Sequence, residues 1–186
     1  KSGKINLFSV LVEGVLQSWM IDVAGLGKIR LGTFWEETKS YRILKPQKRT
    51  ERRIKDAEEA VAKFNNSLQS NLSRIERRTQ ELLTRLCMHH LKIQLHFPGI
   101  KLDSDNRDYT DCCIRLLVTF FNKPISKPQT FLNESRLTAI ALALYFASLL
   151  ETVPTDQKWP SILLLDDVLI GLDMSNRLPV LDVIRK

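Results

Sequence analysis

The stretch ILLLDDVLIGLD, residues 162–173, runs four aliphatic side chains into two adjacent carboxylates, then a short loop and a third acid. An uninterrupted SILLL run bounded by Pro160 and by acids predicts a central parallel strand, because alternation is unnecessary where neither face of a sheet meets water. Ligands of such sheets bind beyond the carboxyl ends of the strands, where Asp166 and Asp167 fall. A hard Mg2+ ion takes oxygen ligands, usually one or two carboxylates with water and phosphate oxygens. Asp166 suits that role, and Asp167 suits positioning or deprotonating an attacking water. Many strands also finish on a solvated Asp, so both readings stand until the rest of the chain is considered.

Upstream, FLNESRLTAIALALYFASLL (131–150) predicts a buried helix with a polar beginning, its Ala139, Ala141, Ala143 and Ala147 leaving room for close neighbours. LKIQLHF (91–97) alternates as a strand does, and CCIRLLVTFF (112–121) is a second strand candidate, joined to the first through Pro98, Gly99 and the polar KLDSDNRDYTD loop. Before them, Ile54, Val61, Leu68, Ile75 and Leu82 recur every seven residues in a segment free of Gly and Pro. That spacing predicts a coiled coil or helical hairpin over 46–90, the alternative being one amphipathic helix on a globular core. Residues 5–24 are expected to form an apolar helix ended by Gly25, Gly27 and Gly32. GLGKIRLG is a turn, because Lys28 is followed by Ile29 and lacks the spacing of a phosphate loop.

The chain has 186 residues, 44% of them hydrophobic, enough to build one domain or part of a larger one. Its net charge of +7 is concentrated at Arg42, Lys45, Lys48, Arg49, Arg52, Arg53 and Lys55, which is either a solvated helix start or a contact for a nucleic-acid backbone. Cys87, Cys112 and Cys113 are odd in number and make no disulfide framework, which fits a reducing cytoplasm. Cys87, His89 and His90 lack a second ligand pair at zinc spacing. The longest nearly apolar run, Leu137–Leu150, is 14 residues, short of the roughly 20 that a membrane span takes. No membrane partner is expected, and no signal peptide is visible.

The ordered combination of a heptad segment, FLNESRLTAIALALYFA and ILLLDDVLIGLD resembles the head domains of ABC-type ATPases, specifically the SMC and RecF-like branch. The resemblance covers about residues 50–186. It implies an α/β fold, the C-terminal part of a P-loop ATPase head with parallel core strands and a protruding coiled-coil arm. Three segments follow: a helical accessory element over 1–45, the arm over 46–90 and the C-terminal lobe of the head over 91–186. The resemblance assigns Asp166 to Mg2+, Asp167 to the catalytic carboxylate position, and Leu172 and Asp173 to the D-loop. Leu132, Asn133, Glu134, Ser135 and Arg136 correspond to the signature that touches the γ-phosphate of ATP on an opposing subunit, with Asn133 in place of the usual Ser and Ser135 in place of a Gly. A helix start favours such an anion; Asn and Ser capping a core helix is the structural alternative.

No Walker A Lys, Q-loop or switch His is recognisable, so the resemblance implies only part of a head, inactive until joined to its N-terminal half. The expected function is an ATPase in which ATP-sandwiched heads form a homodimer coupled to DNA binding or processing. DNA repair or antiphage defence is the expected setting, with Lys48, Arg49, Arg52 and Arg53 at the DNA and a nuclease or other effector subunit as a further partner. The competing function is a noncatalytic coiled-coil scaffold with a degenerate head. A transporter ATPase fits less well, because those subunits carry no inserted coiled coil.

Overall fold

The structure is a computed structural model that describes residues 6–41, 51–103, 108–152 and 172–184. The described residues fall into two compact units, drawn from Lys1–Ser73 with Leu95–Arg115 and from Arg74–Gln94 with Leu116–Lys186.

In the first unit α1 (Leu7–Val10) starts under Asn6, whose side chain accepts the Phe8 N–H, and widens into a π turn over Leu11–Val15. The helix expected over 5–24 ends there. Residues Met20–Val23 form strand β1 instead, alternating Met20 and Asp22 outside with Ile21 and Val23 inside. Only a two-residue period puts that pair on one face. β1 pairs antiparallel with β2 (Gly27–Arg30), Val23 opposite Gly27. The connection takes Gly25 and Gly27 to φ +82° and +75°, left-handed backbone that glycine adopts without a Cβ penalty. GLGKIRLG is thus a hairpin turn running into α2 (Leu31–Ser40). Gly32 sits where an added Cβ would lie 3.0 Å from the Gln17 carbonyl oxygen.

Helix α3 (Glu51–Arg85) and the following strand β3 (Leu91–His96) pass through both units. With no Gly or Pro over 35 residues, α3 stays unbroken. Its end is a Schellman turn without glycine: the Met88 N–H reaches the Leu83 oxygen at 2.9 Å, the Cys87 N–H reaches Thr84 at 3.1 Å, and Cys87 takes φ +59°. Val61, Leu68, Ile75 and Leu82 of the heptad series are buried, as are Phe64, Leu72, Thr79 and Leu86. Phe64 is the companion position of the heptad seam, while Leu72, Thr79 and Leu86 add a further row that widens the stripe beyond it. In the first unit the chain itself covers it: Phe64 lies 5.7 Å from Phe34 and 5.0 Å from Trp35, ring centre to ring centre. What the described residues show of the expected arm is one long helix, packed at Phe64 against Phe34 and Trp35.

Asn65 of α3 donates to the Ile100 oxygen and accepts its N–H, both at 2.9 Å. Strand β4 (Lys101–Asp103) pairs antiparallel with β5 (Asp108–Thr110), a ladder inside the segment expected to be loop. From β5 the buried Tyr109 hydroxyl donates to the Thr38 carbonyl at 2.6 Å. Residues 6–41 of the accessory segment expected over 1–45 thus share one core with the first part of α3 and the residues after β3.

In the second unit Gln80 of α3 donates to the Leu91 oxygen at 2.8 Å and accepts the Ile93 N–H at 3.2 Å, pairing with β3 as a neighbouring strand would. Leu91, Ile93 and Leu95 point inward, as their alternation predicts. Strands β6 (Arg115–Phe120) and β7 (Lys123–Ile125) complete a sheet in the order β3-β6-β7. Then come α4 (Pro128–Phe131), α5 (Glu134–Thr152) and α6 (Met174–Ile184). Helix α5 buries Ala139, Ala143 and Ala147 completely, and its Glu151 binds Arg74 at 2.6 Å and Arg78 at 3.0 Å. No described helix is long and apolar enough to cross a membrane.

Candidate functional site

The site begins where α4 stops. Pro128 opens that single turn and Leu132 leaves it in extended backbone, φ −86° and ψ 144°, with its side chain buried. Asn133 then caps α5: its Oδ1 accepts the Arg136 N–H at 3.1 Å and its carbonyl accepts the Leu137 N–H at 3.1 Å. A side-chain acceptor here satisfies one of the donors that every helix start leaves open. Glu134 and Asn133 are exposed, whereas Ser135 is 4% exposed.

Ser135 Oγ accepts the backbone N–H of Asp173 at 3.0 Å, across 38 residues of sequence. The bond ties the signature-like segment at the head of α5 to the D-loop-like segment ahead of α6. Leu172 is buried beside it, and its carbonyl accepts Arg177 Nε at 3.1 Å. Asp173 presents its side chain to solvent, while its carbonyl accepts the Arg177 N–H at 3.3 Å as α6 begins.

Arg136 lays its guanidinium 5.0 Å from the centre of the Phe120 ring, a cation–π contact. Beside it opens a cleft of about 250 Å3 lined by Asn133, Arg136 and Asp173 together with His90, Phe120 and Phe121. Three of the five signature-like and two D-loop-like residues thus border or brace one cleft. Its aromatic wall is a feature the sequence announced only as a strand, since the ring positions follow from the β6–β7 hairpin.

Asp166 and Asp167, with the SILLL run expected to form a strand, fall outside the described residues, as do Lys48 and Arg49. Arg52 and Arg53 are exposed in the first turn of α3. Among the described residues no group of three His, Cys, Asp or Glu side chains is placed to hold a metal ion. Compared with protein-family models, with curated proteins and with solved structures, the chain matches none.

Proposed function

We propose that this chain is the C-terminal part of an SMC/RecF-like ATPase head, a cytoplasmic protein whose ATP-sandwiched dimerisation is coupled to DNA binding or processing in repair or antiphage defence. The observation that carries the proposal is the bond from the Asp173 N–H to Ser135 Oγ. Signature and D-loop must stand side by side on one subunit if both are to meet a nucleotide on the other, and the two segments that resemble them are joined directly. The start of α5 adds the positive end of a helix dipole, and Arg136 adds a fixed cation beside it.

In this scheme Asp166 would hold Mg2+, which would neutralise phosphate charge, and Asp167 would orient or deprotonate the attacking water. Bound Mg2+–ATP supplies the γ-phosphoryl group, which the residues of this chain position rather than transform. Glu151 fastens the far end of α5 to Arg74 and Arg78 of α3.

A second function, a noncatalytic interaction scaffold, is supported by a specific feature: Asn133 and Ser135 both spend side-chain oxygens inside their own chain. Turnover separates the two. The chain joined to the N-terminal half of its head should hydrolyse ATP, and Asp167→Asn should lower the rate by at least about 100-fold, as loss of a positioned base does. Equal rates for the two proteins would leave the scaffold.

A further inference from the structure

We infer that the tip of the β6–β7 hairpin is a stacking platform for the bases of single-stranded nucleic acid, with Phe121 as its ring and Lys92 and Lys123 as its phosphate contacts. This goes beyond the ATPase proposal and requires no nucleotide.

The first observation is the turn itself. Phe120 pairs with Lys123, leaving only Phe121 and Asn122 to reverse the chain, with φ of +48° and +62°. Two-residue hairpins of this kind want left-handed backbone at both positions, which suits Asn or Gly. Asn122 complies; a phenylalanine there is strained, and such strain persists where the surroundings hold it. The Phe121 N–H bonds the His90 carbonyl at 3.0 Å, and its ring stacks on His90 with centres 3.9 Å apart and planes at 18°. Yet 55% of the residue is exposed. An aromatic ring that gains so little burial, in a conformation its side chain disfavours, is fixed for something outside the fold.

Its neighbours extend the platform. Phe120 meets Phe121 edge-on at 4.6 Å and Phe131 at 5.9 Å, and Phe131 is also mostly exposed. Around the rings the charge is positive. From Cys112 to Asn133 the sequence contains no Asp or Glu. Lys92 Nζ donates to Asn122 Oδ1 at 2.9 Å, bringing one ammonium to the turn, and exposed Lys123 follows it directly. Among the described residues the one acid that lines the adjoining cleft is Asp173, and Arg136 lines it too.

The chemistry selects a single strand. Exposed aromatic faces stack on unpaired bases of any sequence while cations track the backbone; a duplex keeps its base faces covered. The adjoining cleft, at about 250 Å3, is below the roughly 300–1,000 Å3 of pockets for drug-sized ligands, a size for one planar base. Asn133 and Asp173 offer it hydrogen-bonding edges. A hydrophobic peptide would use Phe121 and Phe131 but gains nothing from the flanking lysines.

The test is fluorescence anisotropy of a labelled oligothymidylate titrated with the chain over a range of salt, without ATP. Phe121→Gly removes the ring and fits the left-handed turn, so it retains the fold, which far-UV circular dichroism verifies. It should weaken binding roughly 5- to 150-fold, the range for losing one stacked base, while Phe121→Tyr should bind like the parent. Lys92→Gln with Lys123→Gln should reduce the log–log salt slope by about 1.4, or about 0.7 per lost contact with a single strand. Unchanged affinity in Phe121→Gly, tighter binding to the duplex of the same sequence, or no binding by the parent chain would each overturn the inference. The first of these, with a pull on a hydrophobic peptide, would return the tip to a protein contact.

Discussion

Glu151 offers an asymmetry that can be measured. Its side chain is 5% exposed and accepts from Arg74 at 2.6 Å and Arg78 at 3.0 Å, whereas the two arginine side chains are 55% and 42% exposed. Glu151→Gln keeps the volume and removes the charge, and both guanidinium groups can then turn to water. Hydrogen bonds to charged groups contribute about 1.5–3 kcal/mol; the half-exposed arginines, screened by solvent, bring the expected loss down to about 1–2 kcal/mol. For a chain of this size that lowers the melting temperature by roughly 2–4 °C per kcal/mol. Deleting the bases is a different experiment. Arg74→Ala or Arg78→Ala alone leaves the carboxylate one partner and should cost about 1 kcal/mol or less. The double variant strands a buried anion and should cost about 3–5 kcal/mol, well above the sum of the singles. Urea titrations followed by far-UV circular dichroism give the four midpoints. If the double arginine variant is no less stable than Glu151→Gln, or equals the sum of its parts, Glu151 is not held as described.

Ser135→Ala should cost about 1–3 kcal/mol in the same titration, because it leaves the Asp173 N–H without its acceptor, and Ser135→Arg should unfold the second unit by forcing bulk into a site that is 4% exposed. Dimerisation is better probed at exposed Asp173, where Asp173→Ala in the completed head should weaken light-scattering dimers formed with a nonhydrolysed ATP analogue and leave nucleotide affinity intact. Asp166→Ala should abolish Mg2+-dependent turnover in that protein, checked by phosphate release. Changing Arg49, Arg52 and Arg53 together to Glu should flatten the salt dependence of duplex binding by about 2.7 in log–log slope, about 0.9 for each lost contact; an unaltered slope returns the cluster to a solvated helix face.

Local rules carried several elements from sequence to structure without distortion. The β3 alternation of Leu91, Ile93 and Leu95 needs only a sheet with one covered face. The continuity of α3 follows from the absence of Gly and Pro, and the burial of α5 from a composition apolar on every side. Where two local preferences competed, tertiary contacts chose. Met20–Val23 lies in an apolar stretch that also satisfies a helical pattern, and it became a strand because Gly25 and Gly27 let β2 fold back onto it. Likewise the seven-residue repeat of α3 described the stripe but not its cover, since Phe34 and Trp35 can bury a helix face as well as a second helix can.

For the candidate site the division is similar. The sequence alone identified FLNESR as a helix start, and Asn133 caps it because that geometry involves residues three apart. It also placed the polar Ser135 and Asp173 in their segments. Their bond spans 38 residues, as the link from Glu151 to Arg78 spans 73, and no local period encodes a partner at such a distance. The exposed Phe121 ring was hidden for the opposite reason: within CCIRLLVTFF it reads as one more strand residue, and only the pairing of Phe120 with Lys123 turns it out onto a two-residue tip. Periodicity determines which face of an element is apolar; the closure of the chain on itself determines which polar and aromatic side chains are brought together, because contacts between distant residues depend on the path of everything that lies between them.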